Sequence, residues 1–275
     1  MTTRNIILGF AIVIRLLPGK LHAQVLETEE SKPLQPGQFE VGTGLEFQTS
    51  KEGTETALPL AIEYGLFKKF TLLVEPVGFT SILPKTGPHS KGIGDLEITL
   101  FYQIVSEKRI LPSISISGEV KIPTAKNNLI GTGKTDYTPF IILSKTTGKF
   151  FTSLNLSYTF LGKPPGVSAT DLFNYAFGSI FTASPKSILF AEVYGNTSAF
   201  GGADIPEGVG IIQNTSNSEL SGGETVGAIG YGYYIKKELL LSFGVSYDNN
   251  NAVLFRPGIE WKFGGRDNSL KRTAK

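Results

Sequence analysis

Residues 252–263, close to the end of the chain, alternate between two chemically different faces. Apart from Pro257, every second residue from Val253 to Phe263 is apolar, and the last two of these are Trp261 and Phe263. The other face includes three charged residues, which are Arg256, Glu260 and Lys262. A period of two residues indicates a β-strand whose two faces meet different surroundings. Terminal aromatics on one face and charges on the other predict a strand of a membrane β-barrel.

Similar segments recur along most of the chain. Most of them are ten to twelve residues long, close to the ~9–11 residues of a tilted membrane strand. The predicted fold class is therefore all-β, a transmembrane antiparallel β-barrel of about twelve strands. The predicted strands are residues 39–48, 57–66, 69–80, 93–105, 111–122, 136–145, 149–160, 172–182, 187–196, 224–235, 238–248 and 252–263.

The links between these strands alternate in length. Short links are predicted at 67–68, 106–110, 146–148, 183–186 and 236–237, and longer ones at 49–56, 81–92, 123–135, 161–171 and 197–223. Short periplasmic turns and longer external loops are typical of outer-membrane barrels. The pattern predicts that both termini face the periplasm. The link at 248–251 is an exception, because it is short although the pattern places it on the external side, where the links are longer.

The first 23 residues have the features of an export signal. Arg4 precedes an apolar run at residues 6–14, and Ala23 offers a small residue at the end. A single membrane anchor is the alternative, but the run is shorter than the ~17 residues that a membrane helix needs. The predicted organisation is a cleaved signal peptide at 1–23, a periplasmic lead-in at 24–38, the barrel at 39–263 and a polar tail at 264–275. The predicted location is the bacterial outer membrane.

Composition argues against several other functions. The chain has no Cys, which removes disulfides and thiolate chemistry, and its net charge of +2 does not indicate nucleic-acid binding. After removal of the signal, His89 is the remaining His, and it lies in a segment rich in Pro and Gly. A Ser–His hydrolase would need that His beside an activated Ser, and a metal site on one His without Cys is equally unsupported. We therefore predict a non-enzyme with no catalytic residue, cofactor or metal.

The alternation places most charged strand residues inside the barrel. Charges on the lipid face would cost about 2–4 kcal/mol near the bilayer midplane. The predicted lumen-lining residues are Glu40, Glu46, Glu63, Glu75, Asp95, Glu97, Glu119, Lys121, Glu192, Arg256 and Glu260, together with Lys149 and Lys262. Barrel closure would bring Glu40 and Glu46 near Arg256 and Glu260. These groups either satisfy one another in a filled interior or form an acid-rich constriction, and twelve strands are compatible with both.

Four short motifs resemble those of a known family, the outer-membrane proteins of the phenol meta-cleavage degradation pathway. They are Pro-Gly-Gln-Phe-Glu-Val-Gly-Thr-Gly at 36–44, Gly-Ile-Gly-Asp-Leu-Glu at 92–97, Gly-Glu-Val-Lys-Ile-Pro-Thr at 118–124 and Pro-Gly-Ile-Glu-Trp-Lys-Phe at 257–263. The resemblance covers nearly the whole mature chain. It implies an outer-membrane barrel that takes up hydrophobic or aromatic compounds, and it supplies no catalytic residues. Unlike many such barrels, this chain continues for twelve residues after Phe263.

Three functions follow as hypotheses. The first is a channel or transporter for small, aromatic or hydrophobic solutes. The second is a structural or adhesive barrel that does not transport, with external loops such as 197–223 binding a partner. The third is a barrel hydrolase or acyltransferase, for which a usable His–Ser arrangement is missing. The expected partners are outer-membrane lipid, the barrel-assembly machinery and a small solute, without nucleic acid.

Overall fold

Fourteen β-strands build the protein in the computed structural model, which describes residues 26–200 and 223–265. The strands are β1 (Gln38–Gly44), β2 (Glu46–Thr49), β3 (Gly53–Phe67), β4 (Phe70–Pro84), β5 (Ser90–Gly92), β6 (Leu96–Val105), β7 (Ser113–Ile122), β8 (Asp136–Thr147), β9 (Phe150–Thr159), β10 (Leu172–Ser184), β11 (Ser187–Asn196), β12 (Glu224–Lys236), β13 (Leu239–Asp248) and β14 (Val253–Gly264). Among these residues, no helix is both long and apolar enough to cross a membrane.

The strands form one antiparallel sheet that closes on itself into a twelve-strand barrel. β1 and β2 act as one strand interrupted at Leu45, because both pair with β3 on one side and with β14 on the other. β5 and β6 likewise both pair with β4. Closure runs through β1 and β14, where Val41 lies opposite Trp261 and Gly44 opposite Gly258. Closure pairs the first strand with the last, which satisfies their backbone hydrogen bonds in a lipid setting. The predicted fold class is confirmed, and each of the twelve predicted segments contains a strand, although the bounds of several differ.

The two faces of the wall follow the alternation read from the sequence. In β14, Leu254, Arg256 and Glu260 are buried, whereas Phe255 and Trp261 are exposed on the outside. The other strands repeat this arrangement, so the outer surface carries most of the large apolar side chains and the interior carries carboxylates, hydroxyls and amides. A surface this apolar is suited to lipid contact.

Several pairs of aromatic side chains lie near the end of the barrel that carries the short turns. Phe39 stacks on Phe263 with ring centroids 5.5 Å apart, and Trp261 lies 4.7 Å from the same Phe263 ring. Phe70 stacks on Tyr102 at 4.6 Å. Aromatic girdles at the level of the lipid headgroups are a feature of outer-membrane barrels.

The predicted links agree with the structure within a few residues, except at two of the long loops. Two short turns occupy 148–149 and 237–238, whereas loops of thirteen and twelve residues occupy 123–135 and 160–171. The longer links predicted at 49–56 and 81–92 are wrong in extent, because β3 begins at Gly53 and β4 continues to Pro84. These two strands therefore extend beyond their neighbours at the long-loop end. The whole predicted signal (1–23), residues 201–222 of the predicted loop 197–223 and residues 266–275 of the predicted tail lie outside the described residues.

Candidate functional site

The lumen of the barrel contains the charged side chains predicted to face inward. Lys149 is an exception, because it lies in the exposed turn after β8, with its Nζ 5.9 Å from the centre of the Phe181 ring. Of the others, Glu63, Glu75, Glu119 and Lys262 are half-buried on inward positions. The buried ones are Glu40, Glu46, Asp95, Glu97, Lys121, Glu192, Arg256 and Glu260.

A stretch of the chain before β1 also lies inside the barrel. We call residues 26–34 the lumen segment, because their backbone is hydrogen-bonded to inward side chains of strands all around the wall. The backbone N–H of Glu27 donates to Glu192 Oε2 at 2.9 Å, and the Thr28 hydroxyl donates to the other oxygen of the same carboxylate. On the far side, the Leu34 N–H donates to Thr71 Oγ1 at 2.9 Å. For residues 24–38 the sequence suggested only a periplasmic lead-in.

The middle of the lumen segment is held by amide and hydroxyl side chains of three strands, β7, β8 and β9. Asn155 forms two bonds with Glu29, accepting from its N–H at 2.5 Å and donating to its carbonyl at 3.1 Å. The Ser31 N–H donates to Ser144 Oγ at 2.9 Å. The Ser115 hydroxyl donates to the Ser31 carbonyl at 2.5 Å. Small polar residues on the inner face thus satisfy a backbone that has no secondary structure of its own.

Two inward-facing glycines leave room for the lumen segment and for Gln35, the residue that follows it. A Cβ at Gly65 of β3 would lie 2.0 Å from the carbonyl oxygen of Gln35, and one at Gly178 of β10 would lie 2.7 Å from Thr28 Oγ1. Neither glycine has a positive φ. Their lack of a side chain therefore serves close approach of the chain rather than a special backbone conformation.

The lumen segment separates two cavities. The larger, of about 240 Å³, extends toward the long-loop end and is lined by residues such as Glu97, Asn174 and Tyr194. The smaller, of about 80 Å³, lies on the short-turn side and is lined by residues such as Glu63 and Lys262. Glu29 lines both.

Three cations of the wall form ion pairs in the lumen. Lys121 Nζ lies 2.7 Å from Asp136 Oδ2 and 3.7 Å from Asp95 Oδ2. Lys262 pairs with Glu40.

Arg256 is the third cation. Its Nη2 lies 2.9 Å from Glu46 Oε1 and 2.8 Å from Glu27 Oε1, so it joins a wall strand to the lumen segment. The expectation from barrel closure thus holds for Glu46, which contacts Arg256, and for Glu40, which is hydrogen-bonded to Glu260 and also pairs with Lys262.

Carboxyl groups outnumber cations around the larger cavity. Among the described residues, eight acidic side chains line it, against Lys121 and Arg256; the acids are Glu27, Glu29, Glu46, Glu75, Glu97, Glu119, Asp136 and Glu224. Burial raises the pKa of Glu29 well above its usual range, and the nearby carboxyl groups of Glu75 and Glu119 raise it further. The cavity therefore presents an acidic wall to any solute.

The lumen segment and several acids were missing from the sequence-based prediction. Asp136 and Glu224 stand at the first positions of β8 and β12 and are buried, so a strict extension of the alternation to the strand ends would have found them. His89 is exposed in the link before β5. The segment itself has no periodic pattern, and its contacts are with residues far away in the chain.

Comparison with known proteins gives matches at the level of structure only. No family model matches the chain, and no curated protein matches it significantly. The COG4313 outer membrane channel from Pseudomonas putida F1 superposes with a TM-score of 0.64 at 13% identity, covering 86% of this chain and 100% of that one. The chain has the fold of an outer-membrane β-barrel.

Two porins share this fold at lower similarity. The NanC porin has a TM-score of 0.52 at 12% identity, covering 81% of this chain and 100% of its own. The KdgM porin in complex with disordered oligogalacturonate has a TM-score of 0.51 at 12% identity, covering 82% and 99%. At such low identity, the likeness concerns the fold and leaves the solute open.

Proposed function

We propose that the protein is a bacterial outer-membrane channel for small solutes, with the lumen segment limiting passage. The observation that carries this proposal is the polar, acid-lined cavity of about 240 Å³ inside a closed barrel with an apolar exterior. A barrel of twelve strands lies between those filled by side chains and those with a wide aqueous channel. The fold that it shares with known channels and porins supports the same function.

The cavity walls favour neutral or cationic solutes over anions. The acidic excess opposes an anionic oligosaccharide of the kind bound by the KdgM porin. An apolar patch of Leu73, Phe101 and Phe140 lies beside the carboxylates. This combination accommodates a small aromatic molecule, and the resemblance to the phenol-pathway proteins predicts the same solute class.

A non-transporting barrel is the second proposal, and the hydrogen bonds of the lumen segment favour it. A segment bonded to Glu192, Asn155 and Ser144 across the lumen would close the barrel if it never moved. The barrel would then act as a structural element or through its external loops. We propose no enzymatic activity for either form.

Conductance of the refolded mature protein in a planar bilayer separates these proposals. A channel gives discrete current steps, and phenol as a competing solute reduces them if aromatic molecules enter the lumen. A barrel that inserts and shows heat-modifiable migration but stays silent supports the non-transporting form. A protein that does not insert contradicts the membrane assignment itself.

A further inference from the structure

Each turn at the short-turn end of the described barrel carries at least one Lys or Arg. These turns join β3 to β4, β6 to β7, β8 to β9, β10 to β11 and β12 to β13, so they follow one another around the perimeter. We call their basic residues, with the last residue of β12, the rim cations. They are Lys68, Lys69, Lys108, Arg109, Lys149, Lys186, Lys236 and Lys237. All of them are exposed except Lys69, which is half-buried.

The acids of the same turns do not neutralise the rim cations. The two acids are Glu107 and Glu238. Glu107 pairs with Lys145 of β8, with Oε1 3.1 Å from Nζ. Among the described residues, no ion pair joins a rim cation to a carboxylate. This rim of the barrel therefore has a positive charge that is free to meet an anionic surface.

The position of Lys149 shows which side of the wall the charge occupies. Its Nζ lies 5.9 Å from the centre of the Phe181 ring, and that ring lies 4.9 Å from the ring of Phe150. Phe150 and Phe181 alternate with the buried residues Phe151 and Ile180, so they belong to the outer, lipid-facing surface. Aromatic side chains of barrels lie at the level of the headgroups. A cation beside them is at the depth of the lipid phosphates.

The backbone of Lys69 gives a second, independent observation. Its φ is 77°, in the left-handed region that Gly and Asn tolerate best. The other non-glycine residue with a positive φ in the described chain is Asn251, and the turn at 148–149 uses Gly148. Lys69 lies between Phe67 and Phe70, whose ring centroids are 6.4 Å apart. A lysine kept in a strained turn beside two aromatic rings indicates a role for its side chain.

The distribution of the rim cations favours lipid over a protein partner. A protein would contact one side of the barrel, whereas the cations occur in turns all around it. Headgroups surround the whole perimeter of a membrane barrel. Lys and Arg next to a membrane surface attract anionic lipids. In outer-membrane barrels the short turns face the periplasm, so the lipid belongs to the periplasmic leaflet.

We propose that the rim cations bind the phosphate groups of net-anionic phospholipids in the periplasmic leaflet. The binding surface comprises the five short turns and the aromatic residues next to them. This inference rests on the outer-membrane location given under the proposed function, and it does not depend on conduction. A barrel that inserts but carries no current can still show the lipid preference, so the two proposals fail separately.

Electron spin resonance of spin-labelled lipids tests the inference on the mature chain in phosphatidylcholine vesicles. Phosphatidylglycerol is the anionic probe and phosphatidylcholine the neutral one. We expect phosphatidylglycerol to associate with the barrel surface about twofold or more strongly at low salt. The preference should largely disappear in about 1 M salt, because surface charges are then screened. An equal association of the two probes with the inserted wild type would overturn the proposal.

A combined variant removes one charge from each of four short turns. It carries Lys68→Gln, Lys149→Gln, Lys186→Gln and Lys237→Gln, and it should associate nearly equally with both probes. The matched control removes four exposed lysines at the long-loop end, with Lys51→Gln, Lys85→Gln, Lys91→Gln and Lys126→Gln. It should keep the preference of the wild type.

Equal losses in the combined variant and its control would show an effect of net charge and would overturn the proposal. Heat-modifiable migration checks that each variant is a folded barrel. If the combined variant does not fold, Lys149→Gln with Lys186→Gln replaces it and should remove part of the preference. Co-sedimentation with purified peptidoglycan, another anionic partner, in the absence of a lipid preference would assign the rim cations to that polymer instead and overturn the proposal.

Discussion

Arg256 of β14 forms an ion pair with Glu27, a residue 229 positions earlier in the chain, with Nη2 2.8 Å from Oε1. The same guanidinium also contacts Glu46 of β2, the neighbouring strand across the closure of the barrel. One buried side chain thus links barrel closure to the position of the lumen segment. Because removing one partner of a buried ion pair leaves an uncompensated charge, the segment and the wall are energetically coupled.

Gly65→Ala should displace the lumen segment. The new Cβ would lie 2.0 Å from the Gln35 carbonyl oxygen, and overpacking of this kind costs about 1–3 kcal/mol. Such a cost corresponds to a shift of roughly five- to 150-fold toward the displaced form. The chain has no Cys, so a thiol introduced by Ser31→Cys is a specific label for the lumen segment. The Ser31 side chain is buried and its Oγ has no hydrogen-bond partner among the described residues. The accessibility of this thiol therefore reports whether the segment is displaced. Maleimide labelling should be slow in the parent and about tenfold faster with Gly65→Ala.

Gly118→Ala provides the control for that experiment. Gly118 also lies within a strand, but a Cβ there would meet nothing within 4 Å. Labelling of Ser31→Cys should therefore stay slow in this background. Equal acceleration by both alanines would show that loss of glycine, rather than displacement of the segment, controls access.

Conduction should increase with pH through the titration of Glu29. Its pKa in the lumen is raised by burial and by neighbouring carboxyl groups, chiefly those of Glu75 and Glu119 and also those of Glu27 and Glu40. The free segment would titrate near the ordinary Glu value of ~4.3. Binding of the lumen segment inside the barrel is therefore fully favoured below a pH of ~4.3. It weakens as the pH rises through the raised pKa of Glu29. The probability that a channel is open in a planar bilayer should therefore increase as the pH rises over this range.

Glu29→Gln tests the assignment of that pH dependence, because an amide cannot titrate. The variant should show a clearly flatter profile, with any residual slope arising from the remaining acids of the lumen. Glu107→Gln, at an exposed short turn, should keep the slope of the wild type. An unchanged slope in Glu29→Gln would contradict the role of this residue.

Lys121→Met should destabilise the barrel strongly. Asp95 and Asp136 are both buried and both contact Lys121, so the variant leaves their charges without this cation. Breaking a buried pair costs about 3–5 kcal/mol. Urea unfolding in detergent or lipid, followed by migration on gels, measures the loss.

Lys145→Met is the matched control for Lys121→Met. Lys145 pairs with Glu107 at 3.1 Å, but both side chains are substantially exposed. Exposed pairs contribute about 0–1 kcal/mol, so this variant should unfold nearly like the wild type. Similar losses in the free energy of unfolding for Lys121→Met and Lys145→Met would argue against a special role for the buried ion pairs of Lys121.

The barrel could be predicted from the sequence because each strand carries the same local pattern. In β14, Phe255 and Trp261 face outward while Arg256 and Glu260 face inward, as the period of two requires. Strand ends were less predictable. β3 and β4 extend past the bilayer-length core, and nothing in the alternation of 53–56 or 81–84 distinguished those residues from a loop.

The position of the lumen segment could not be predicted for a different reason. Its contacts join Glu29 to Asn155 and Ser31 to Ser144, which are 126 and 113 positions apart. A polar segment without periodicity gives no sign of such partners. The only local hints are the inward glycines, Gly65 and Gly178, and their meaning depends on knowing what lies against them.

Single-channel conductance of the mature chain, compared with a variant that lacks residues 26–34, tests the central claim most directly. The account predicts small or rare current steps for the intact protein and larger, persistent steps for the shortened one. Heat-modifiable migration should show that both are folded barrels. Identical conductance of two folded forms would contradict the role of the lumen segment, and silence of both would contradict the channel itself.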